Sequence, residues 1–280
     1  MRSDLVDHVI IITGASAGIG AATARACAAA GMRVVLAARR ADRLDALRDE
    51  IDASGRRAIA LAGDVTDDGF SERLLDAAEQ AFGRCDAVLA NAGYGLDRLL
   101  HEMSVAEHRA IFETNYFAAC DLLQRAARRW IAAGHGGHLL MTSSCLARFT
   151  MPRHGAYCAT KAAQHHFCRA MGMELRRYGI RVSSVHPIGT RTEFFDVMSR
   201  QAGASGAAPG SADMPRLFLQ SPERVARAIV KCLRRPRPEV WTSLSVRLLA
   251  AWMAMFPRVM DWVGAAALRD ERRAPAGDPG

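Results

Sequence analysis

The chain has 280 residues, 50% of them hydrophobic, which is enough to bury one large core, and α/β chains of this length commonly form a single domain. Its formal net charge of +8 includes a surplus of six positive charges from residue 216 onward, but these basic residues are dispersed and follow no nucleic-acid-binding pattern, so we expect a solvated basic face and no nucleic-acid partner. The seven cysteines form no Cys-x-x-Cys pair and lie in apolar segments, which argues against disulfides and zinc and favours a cytoplasmic protein.

The first predicted element is a strand followed by a glycine-rich turn. We expect no signal peptide, because residues 1–7 are polar and the first apolar run, residues 9–12, is too short to cross a bilayer. The strand over residues 9–13 leads into Gly14-Ala-Ser-Ala-Gly18-Ile-Gly20 and then into a helical run. Glycines let the backbone approach a pyrophosphate, and amide groups at a helix N-terminus point at it. The predicted dinucleotide contacts here are Gly14, Ser16, Ala17, Gly18, Ile19 and Gly20.

The end of the second predicted strand bears on which nicotinamide cofactor is bound. An acidic residue at this point would hold the adenosine ribose hydroxyls of NAD. Here the strand over residues 33–38 ends in Ala38 and is followed by Arg39 and Arg40. An arginine at this point can bind the additional phosphate of NADP bidentately. The sequence therefore predicts NADP(H) in preference to NAD(H), with Arg39 and Arg40 as contacts; the alternative is that both arginines are ordinary solvated charges.

Strand and helix patterns then alternate. The next predictions are helices over residues 41–53 and 69–82 and strands over residues 57–62 and 86–90. Such alternation predicts an α/β fold of the Rossmann type, a doubly wound parallel sheet of about seven strands with helices on both faces. Ligands of these sheets lie at the carboxyl ends of the strands. The predicted cofactor contacts at this edge are Asp64, Val65, Asn91, Ala92 and Gly93, although Asn91 is equally suited to tying neighbouring strands together.

Two predicted helices carry unusual polar residues. Asn115 lies inside a long helix over residues 104–133, where an asparagine usually needs a hydrogen-bonding reason. A later helix over residues 155–178 carries Tyr157 and Lys161, which are four residues apart and therefore share one face. Because a neighbouring ammonium favours a phenolate, we expect Lys161 to lower the pKa of Tyr157 into a range useful for proton transfer.

A serine at the end of the fifth predicted strand, residues 136–144, completes this group. Ser144 precedes Tyr157 by 13 residues, and a strand that ends there aims the hydroxyl at the same pocket. Ser143 is the neighbouring alternative. A sixth strand is predicted over residues 180–186.

Taken together, these residues resemble the short-chain dehydrogenase/reductase family. The matching elements run in family order from about residue 9 to residue 192: Thr13-Gly-x-x-x-Gly-x-Gly20, Asp64-Val65, Asn91-Ala-Gly93, Asn115, Ser144, Tyr157-x-x-x-Lys161 and Pro187 with Thr192. One position departs from the pattern, because Ile188 follows Pro187 where the family usually has glycine. The resemblance implies cofactor contacts by Pro187, Thr190 and Thr192.

The resemblance also implies a role for each polar residue of the site. Tyr157 is expected to exchange a proton with the substrate oxygen, which Ser144 orients. Lys161 is expected to lower the Tyr157 pKa and to hold the nicotinamide ribose, while Asn115 supports a water relay behind the lysine. Tyr157 and Lys161 therefore count as cofactor contacts too, and the cofactor itself supplies the hydride. Family members commonly form homodimers or homotetramers through the two long helices.

Beyond residue 192 the sequence predicts elements that cover the site. Residues 193–215 are loop-like, and the family places a mobile substrate lid here, in which Phe194 and Phe195 suggest an apolar wall. A helix over residues 221–234 and a seventh strand over residues 239–242 follow.

The last part of the predicted domain, 1–268, is an apolar helical extension over residues 245–268. It can cover the substrate pocket, join a partner subunit or lie on a membrane surface, and the sequence does not choose between these roles. Peripheral membrane association is thus one expectation. Residues 269–280 are charged and rich in Pro and Gly, so we expect a disordered tail.

The leading functional hypothesis is an NADP(H)-dependent oxidoreductase that interconverts a ketone and a secondary alcohol of an apolar small molecule. No metal is expected, because the histidines form no convincing ligand set. One alternative is a 3-oxoacyl-thioester reductase whose basic tail meets an acidic carrier. Another is an NADP(H)-binding regulatory protein without turnover, which the intact set of Asn115, Ser144, Tyr157 and Lys161 argues against.

Overall fold

A computed structural model describes most of the chain. The described residues are 4–52, 57–191, 193–194, 198, 219–259, 261–262 and 265. Thr192, Phe195, most of the predicted lid, part of the predicted C-terminal extension and the whole tail 269–280 lie outside this set.

The described strands form one seven-stranded parallel sheet and a separate short pair. In chain order they are β1 (Val9–Thr13), β2 (Arg33–Ala38), β3 (Ala58–Ala62), β4 (Ala87–Ala90), β5 (His138–Thr142), β6 (Arg181–His186), β7 (Gly189–Thr190), β8 (Leu219–Gln220) and β9 (Glu239–Trp241). The large sheet has the order β3-β2-β1-β4-β5-β6-β9, and β7 pairs with β8 alone. The predicted Rossmann-type sheet is confirmed, while the β7–β8 pair was not predicted. The order reverses direction between β1 and β4, which is where ligands bind in such sheets.

Helices pack on both faces of this sheet. They are α1 (Gly18–Ala29), α2 (Ala41–Asp52), α3 (Phe70–Phe82), α4 (Val105–Phe112), α5 (Ala118–Ala132), α6 (Gly155–Glu174), α7 (Pro222–Arg234) and α8 (Leu244–Met255). Apolar side chains of α3, α5 and α6 fill one face, and those of α1, α2 and α7 fill the other. Central strands such as β1 are buried on both sides, which explains their unbroken apolar sequence.

Two predicted helices differ from the structure. The helix over residues 104–133 is interrupted between α4 and α5 by a π-helical turn, Glu113–Phe117, which contains the buried Asn115. Asn115 bonds to groups outside its own helix, and such competition with the helical ladder accounts for the wide turn. At the C-terminus, α8 ends at Met255, because Pro257 disfavours helical geometry in the residue before it.

Helix α8 presents an apolar outward face. Val246 and Ala250 are its buried residues. The large apolar side chains exposed on or next to it are Leu244, Leu248, Trp252, Met255 and Phe256. In the described part of the chain, no helix is both long enough and apolar enough to span a membrane.

Candidate active site

The glycine-rich turn between β1 and α1 forms a cradle at the carboxyl edge of the sheet. Gly14 and Gly18 have φ angles of +65° and +55°, a region that favours glycine. A Cβ at Gly20 would lie 2.2 Å from the Gly14 carbonyl oxygen, so the tight entry into α1 requires glycine there. Ala17 is the N-cap residue of α1, and Ile19 packs against the core, so their contribution to the cradle is through the backbone.

A cleft of about 300 Å³ opens beside this turn. Its wall includes Ser16, Ala17 and Gly18 from the turn itself. Around them lie three arginines and two glutamates: Arg25, Arg43, Arg191, Glu193 and Glu223. A helix N-terminus with arginines beside it suits a pyrophosphate, so the residues present fit a dinucleotide.

Arg40 is anchored to the cradle, whereas Arg39 points to solvent. The Arg40 guanidinium donates to Ser16 Oγ at 3.0 and 3.2 Å and pairs with Glu193 at 2.8 Å. The Arg39 side chain is 79% exposed and lies 3.6 Å from Asp64. Both arginines were predicted as cofactor contacts, chiefly Arg39, and of the two it is Arg40 that contacts the glycine-rich turn. The carboxylate that competes for Arg40, Glu193, was not predicted; it also pairs with Arg43 at 2.5 Å.

The residues that follow β3 and β4 have mainly structural contacts in the described chain. Asp64 accepts hydrogen bonds from the backbone and side chain of Thr66 at 3.0 and 2.8 Å, and Val65 packs against the core. Asn91 donates to the Thr13 carbonyl at 3.1 Å and accepts from Thr142 at 3.0 Å. Its side chain therefore ties β1, β4 and β5 together, which is the structural role that the sequence left open.

Ser144 and Tyr157 meet, as their spacing predicted. Tyr157 is buried on α6, and the Ser144 hydroxyl lies near enough to its phenol to lower the phenol's pKa. Ser143 faces elsewhere and donates to the Lys161 carbonyl at 2.9 Å, which excludes it as the partner of the phenol in this arrangement. The ring of Phe194 lies 5.5 Å from the Tyr157 ring, centroid to centroid, so an aromatic wall stands beside the phenol.

Burial dominates the protonation of Tyr157 and Lys161. Loss of solvent raises the pKa of Tyr157 above its ordinary value, and the Ser144 hydroxyl offsets only part of this. Burial lowers the pKa of Lys161 to about 7. The predicted net lowering of the Tyr157 pKa is therefore not observed, although a charged Lys161 still favours the phenolate. The physical reason is that both groups are desolvated, with Lys161 Nζ 5.4 Å from the centroid of the Tyr157 ring.

Lys161 and Asn115 are joined through a residue that the sequence analysis missed. Lys161 Nζ donates to the Thr142 carbonyl at 2.8 Å and to Gln164 Oε1 at 3.1 Å. The Gln164 amide nitrogen donates to the main-chain carbonyl of Asn115. A Cβ at Gly93 would lie 2.9 Å from Asn115 Oδ1, so glycine is needed for this packing. The signal for Gln164 was a polar residue one helical turn after Lys161.

His186 supports Ser144 from behind and was also assigned no role from sequence. Its Nδ1 lies 2.9 Å from the Ser144 carbonyl, and its ring stacks on Trp241 with centroids 4.6 Å apart. Burial lowers the pKa of His186 to about 4, so the ring is neutral and donates from Nδ1.

The remaining predicted positions lie at the edge of this group. The Pro187 carbonyl accepts from Cys145 N at 3.0 Å, and the buried Thr190 hydroxyl bonds to Ile188 and Gln220. Thr192 and Phe195 fall outside the described residues. All seven cysteines are free thiols, and the described residues contain no group of His, Cys, Asp and Glu able to hold a metal ion.

Comparisons with known proteins agree with this geometry. Residues 8–203 match the family model described as short chain dehydrogenase. The chain is 29% identical over 259 residues to the uncharacterized oxidoreductase YxnA of Bacillus subtilis, covering 92% of this chain and 71% of that protein. It is 32% identical over 226 residues to the A-factor type γ-butyrolactone 1′-reductase (1S-forming) of Streptomyces virginiae, covering 80% and 87% of the two chains.

A solved structure gives the same fold. The short chain dehydrogenase/reductase of Burkholderia phymatum, determined in complex with NAD, superposes with a TM-score of 0.79 at 22% identity. The superposition covers 89% of this chain and 93% of that one. At this level of identity the likeness establishes the architecture.

Proposed function

The chain belongs to the short-chain dehydrogenase/reductase family, and from this premise we propose that it is an NADP(H)-dependent reductase of apolar ketones with Tyr157 as proton donor. That it is an oxidoreductase acting on alcohol or carbonyl groups follows from the family. The observation that supports the finer proposal is the buried Tyr157 phenol, which lies beside the Phe194 ring and near the Ser144 hydroxyl. We assign the catalytic domain to residues 1–268.

The proposed proton transfer runs from the Tyr157 phenol to the substrate oxygen. Because burial keeps the Tyr157 phenol protonated at neutral pH, it can donate a proton to a carbonyl oxygen that is becoming an alkoxide. Ser144 orients that oxygen, and the Lys161 ammonium favours the phenolate that remains. When bound, the nicotinamide supplies the hydride. Carbonyl reduction is the favoured direction because the Tyr157 phenol is protonated before the substrate binds and can therefore donate.

The surroundings of Tyr157 support an apolar substrate. Tyr157 belongs to a cluster with the buried Leu96, Ile111 and Ala156. Partly buried apolar side chains complete its surface: Tyr94, Met103, Phe112, Leu146 and Phe194. A carbonyl compound with a hydrocarbon body would remove this surface from water, whereas a polyhydroxylated one would leave its hydroxyls without partners.

We expect purified protein to oxidise NADPH with apolar cyclic or aromatic ketones. Their kcat/KM should exceed that of polyhydroxylated ketones of similar size by roughly tenfold or more, since each unpaired hydroxyl carries a desolvation cost. Absorbance of NADPH measures the rate. If no carbonyl compound is reduced and no secondary alcohol is oxidised, the proposal is wrong.

The alternative substrate, a 3-oxoacyl thioester on an acidic carrier protein, should be assayed beside the ketones in one carbonyl panel. The exposed run of Arg234, Arg235 and Arg237 gives a surface that an acidic protein would complement. A strong preference for the carrier-bound thioester over every ketone would identify the second function, carrier-dependent thioester reduction.

Two surfaces are proposed for contacts with other molecules. Apolar side chains exposed on α4, at the π turn and on α6, namely Val105, Phe117 and Met173, support a homodimer or homotetramer through these helices. The exposed Arg247 lies within α8 and the exposed Arg258 follows it, and these basic residues beside the apolar outward face of α8 support contact with an anionic membrane surface.

Light scattering and vesicle sedimentation test both surfaces. We expect a dimer or tetramer in solution, and sedimentation with phosphatidylglycerol-containing vesicles but not with pure phosphatidylcholine. Trp252→Glu should reduce sedimentation several-fold without changing the oligomer. If Trp252→Glu instead dissociates the oligomer, α8 contacts a second copy of the chain. A monomeric wild-type protein would contradict the assembly proposal.

A further inference from the structure

Gln164 connects two residues that belong to different elements of the site. Its Oε1 accepts from Lys161 Nζ at 3.1 Å, and its Nε2 donates to the main-chain carbonyl of Asn115 in the π-helical turn. The residue is 1% exposed, so both hydrogen bonds are shielded from water. Lys161 is held from the other side by the Thr142 carbonyl, at 2.8 Å.

The chemistry of the two partners determines how the Gln164 amide is oriented. An ammonium group only donates, and a main-chain carbonyl only accepts, so Oε1 faces Lys161 and Nε2 faces Asn115. Both ends of a buried amide are then satisfied, whereas leaving either end unpaired would be costly. Of the three N–H donors on Lys161, Thr142 and Gln164 take two, which leaves one for the phenol or a ribose hydroxyl.

We propose that Gln164 is a positioning residue that braces the Lys161 ammonium against the Asn115 carbonyl. The inference rests on the proposed function, because it assigns a task to Lys161 in the same site. The Gln164 amide makes one hydrogen bond at each end, so Lys161 depends on Gln164 for its position and for part of the stabilisation of its charge.

Few charged groups act on Lys161, so its hydrogen bond to Gln164 should have a clear effect on the Lys161 pKa. On α6 the titratable neighbour is Tyr157, and β5 contributes the Thr142 carbonyl. Burial lowers the Lys161 pKa, and no carboxylate among the described residues raises it. The Gln164 oxygen is thus one of two neutral acceptors that favour the charged amine. Removing it should make the ammonium less stable.

The chain has few enough lysines for the titration of Lys161 to be measured directly. The sequence contains two lysines, Lys161 and the exposed Lys231, so lysine-selective ¹³C labelling gives two side-chain signals that can be followed by NMR. In Gln164→Met, which keeps the length but removes both hydrogen bonds, we expect the Lys161 titration midpoint to fall by about one pH unit, a tenfold change in ionisation. The Lys231 midpoint should not move. The alkaline limb of the NADPH-oxidation profile should move to lower pH by the same amount.

Gln124→Met on the exposed face of α5 is the matched control and should leave both titrations and the pH profile unchanged. If Gln164→Met does not fold, Gln164→Asn, which is one methylene too short to reach both partners, should shift the Lys161 midpoint in the same direction. An unchanged Lys161 midpoint in a folded Gln164 variant overturns the inference. The NMR titration needs no substrate, so its outcome is separate from a failure of the carbonyl panel, which would contradict the proposed function instead.

Discussion

Replacing Tyr157 with phenylalanine should lower the rate of NADPH-dependent carbonyl reduction by roughly 10²- to 10⁴-fold, the usual contribution of a positioned proton donor. The phenyl ring keeps the packing against Phe194 and the apolar cluster, so the fold should be retained. The hydroxyl that is proposed to donate the proton is lost. Single-turnover rates with a ketone from the panel, together with NADPH fluorescence titrations, separate the chemical step from cofactor binding. NADPH affinity should stay within about threefold of wild type, because the proposed cofactor contacts lie mainly in the glycine-rich turn.

Tyr178→Phe is the control for this substitution. Tyr178 is 38% exposed and lies at the end of the turn after α6, so removal of its hydroxyl should leave the rate unchanged. A Tyr157→Phe protein that retained a rate within tenfold of wild type would show that another group, or water, protonates the substrate oxygen.

Replacing Arg40 with alanine should weaken NADPH binding by roughly 10- to 100-fold, because hydrogen bonds to charged groups contribute about 1.5–3 kcal/mol. The Arg40 guanidinium is already held at Ser16, where a phosphate on the adenosine ribose would meet both side chains. NADH lacks that phosphate, so its dissociation constant should change by less than about threefold. Fluorescence titration with both nucleotides measures the ratio directly, and the difference should shrink as salt is raised, since the interaction is electrostatic.

Arg48→Ala is the matched control, because Arg48 lies on α2, pairs with Asp45 and Asp49, and is not in the wall of the cleft. Its effect on NADPH affinity should be small. Ala38→Asp should act in the same direction as Arg40→Ala, since a carboxylate at the end of β2 repels the phosphate and suits the ribose hydroxyls of NADH. Equal losses of affinity for both nucleotides in Arg40→Ala would mean that Arg40 supports the turn and does not recognise the phosphate.

The family motifs and the alternation of strands and helices were sufficient to predict much of the architecture. The strands β1 and β2 begin and end where the apolar runs do, because both faces of these strands are buried. The pairing of Tyr157 with Lys161 follows from helical spacing alone. The interruption of the predicted helix at Asn115 was harder to predict from the sequence. An asparagine inside a helix signals an unusual hydrogen bond, but its partners, Tyr94 and Gln164, lie elsewhere in the sequence.

The scarcity of lysine in this chain supports a specific role for Lys161. Only two of the 37 basic residues are lysines, and one of them is buried beside the phenol. An ammonium is compact and shifts its pKa when buried, whereas a guanidinium stays charged and is broader. Lys161 therefore places a small cation with a shiftable pKa beside the phenol.

The amino-acid sequence by itself determined the sheet, its cofactor edge and the residues Ser144, Tyr157 and Lys161, because these depend on local periodicity and on spacing within one element. The tertiary structure alone showed that Ser144 approaches the Tyr157 phenol while Ser143 bonds to the Lys161 carbonyl, and that Arg40 contacts Ser16 while Arg39 points to solvent, since adjacent side chains leave the backbone in different directions. It also decided the role of Gln164, whose partner Asn115 is 49 residues away. A contact between such distant positions is made by the packing of α6 against the π-helical turn, and it leaves no periodic pattern in the chain.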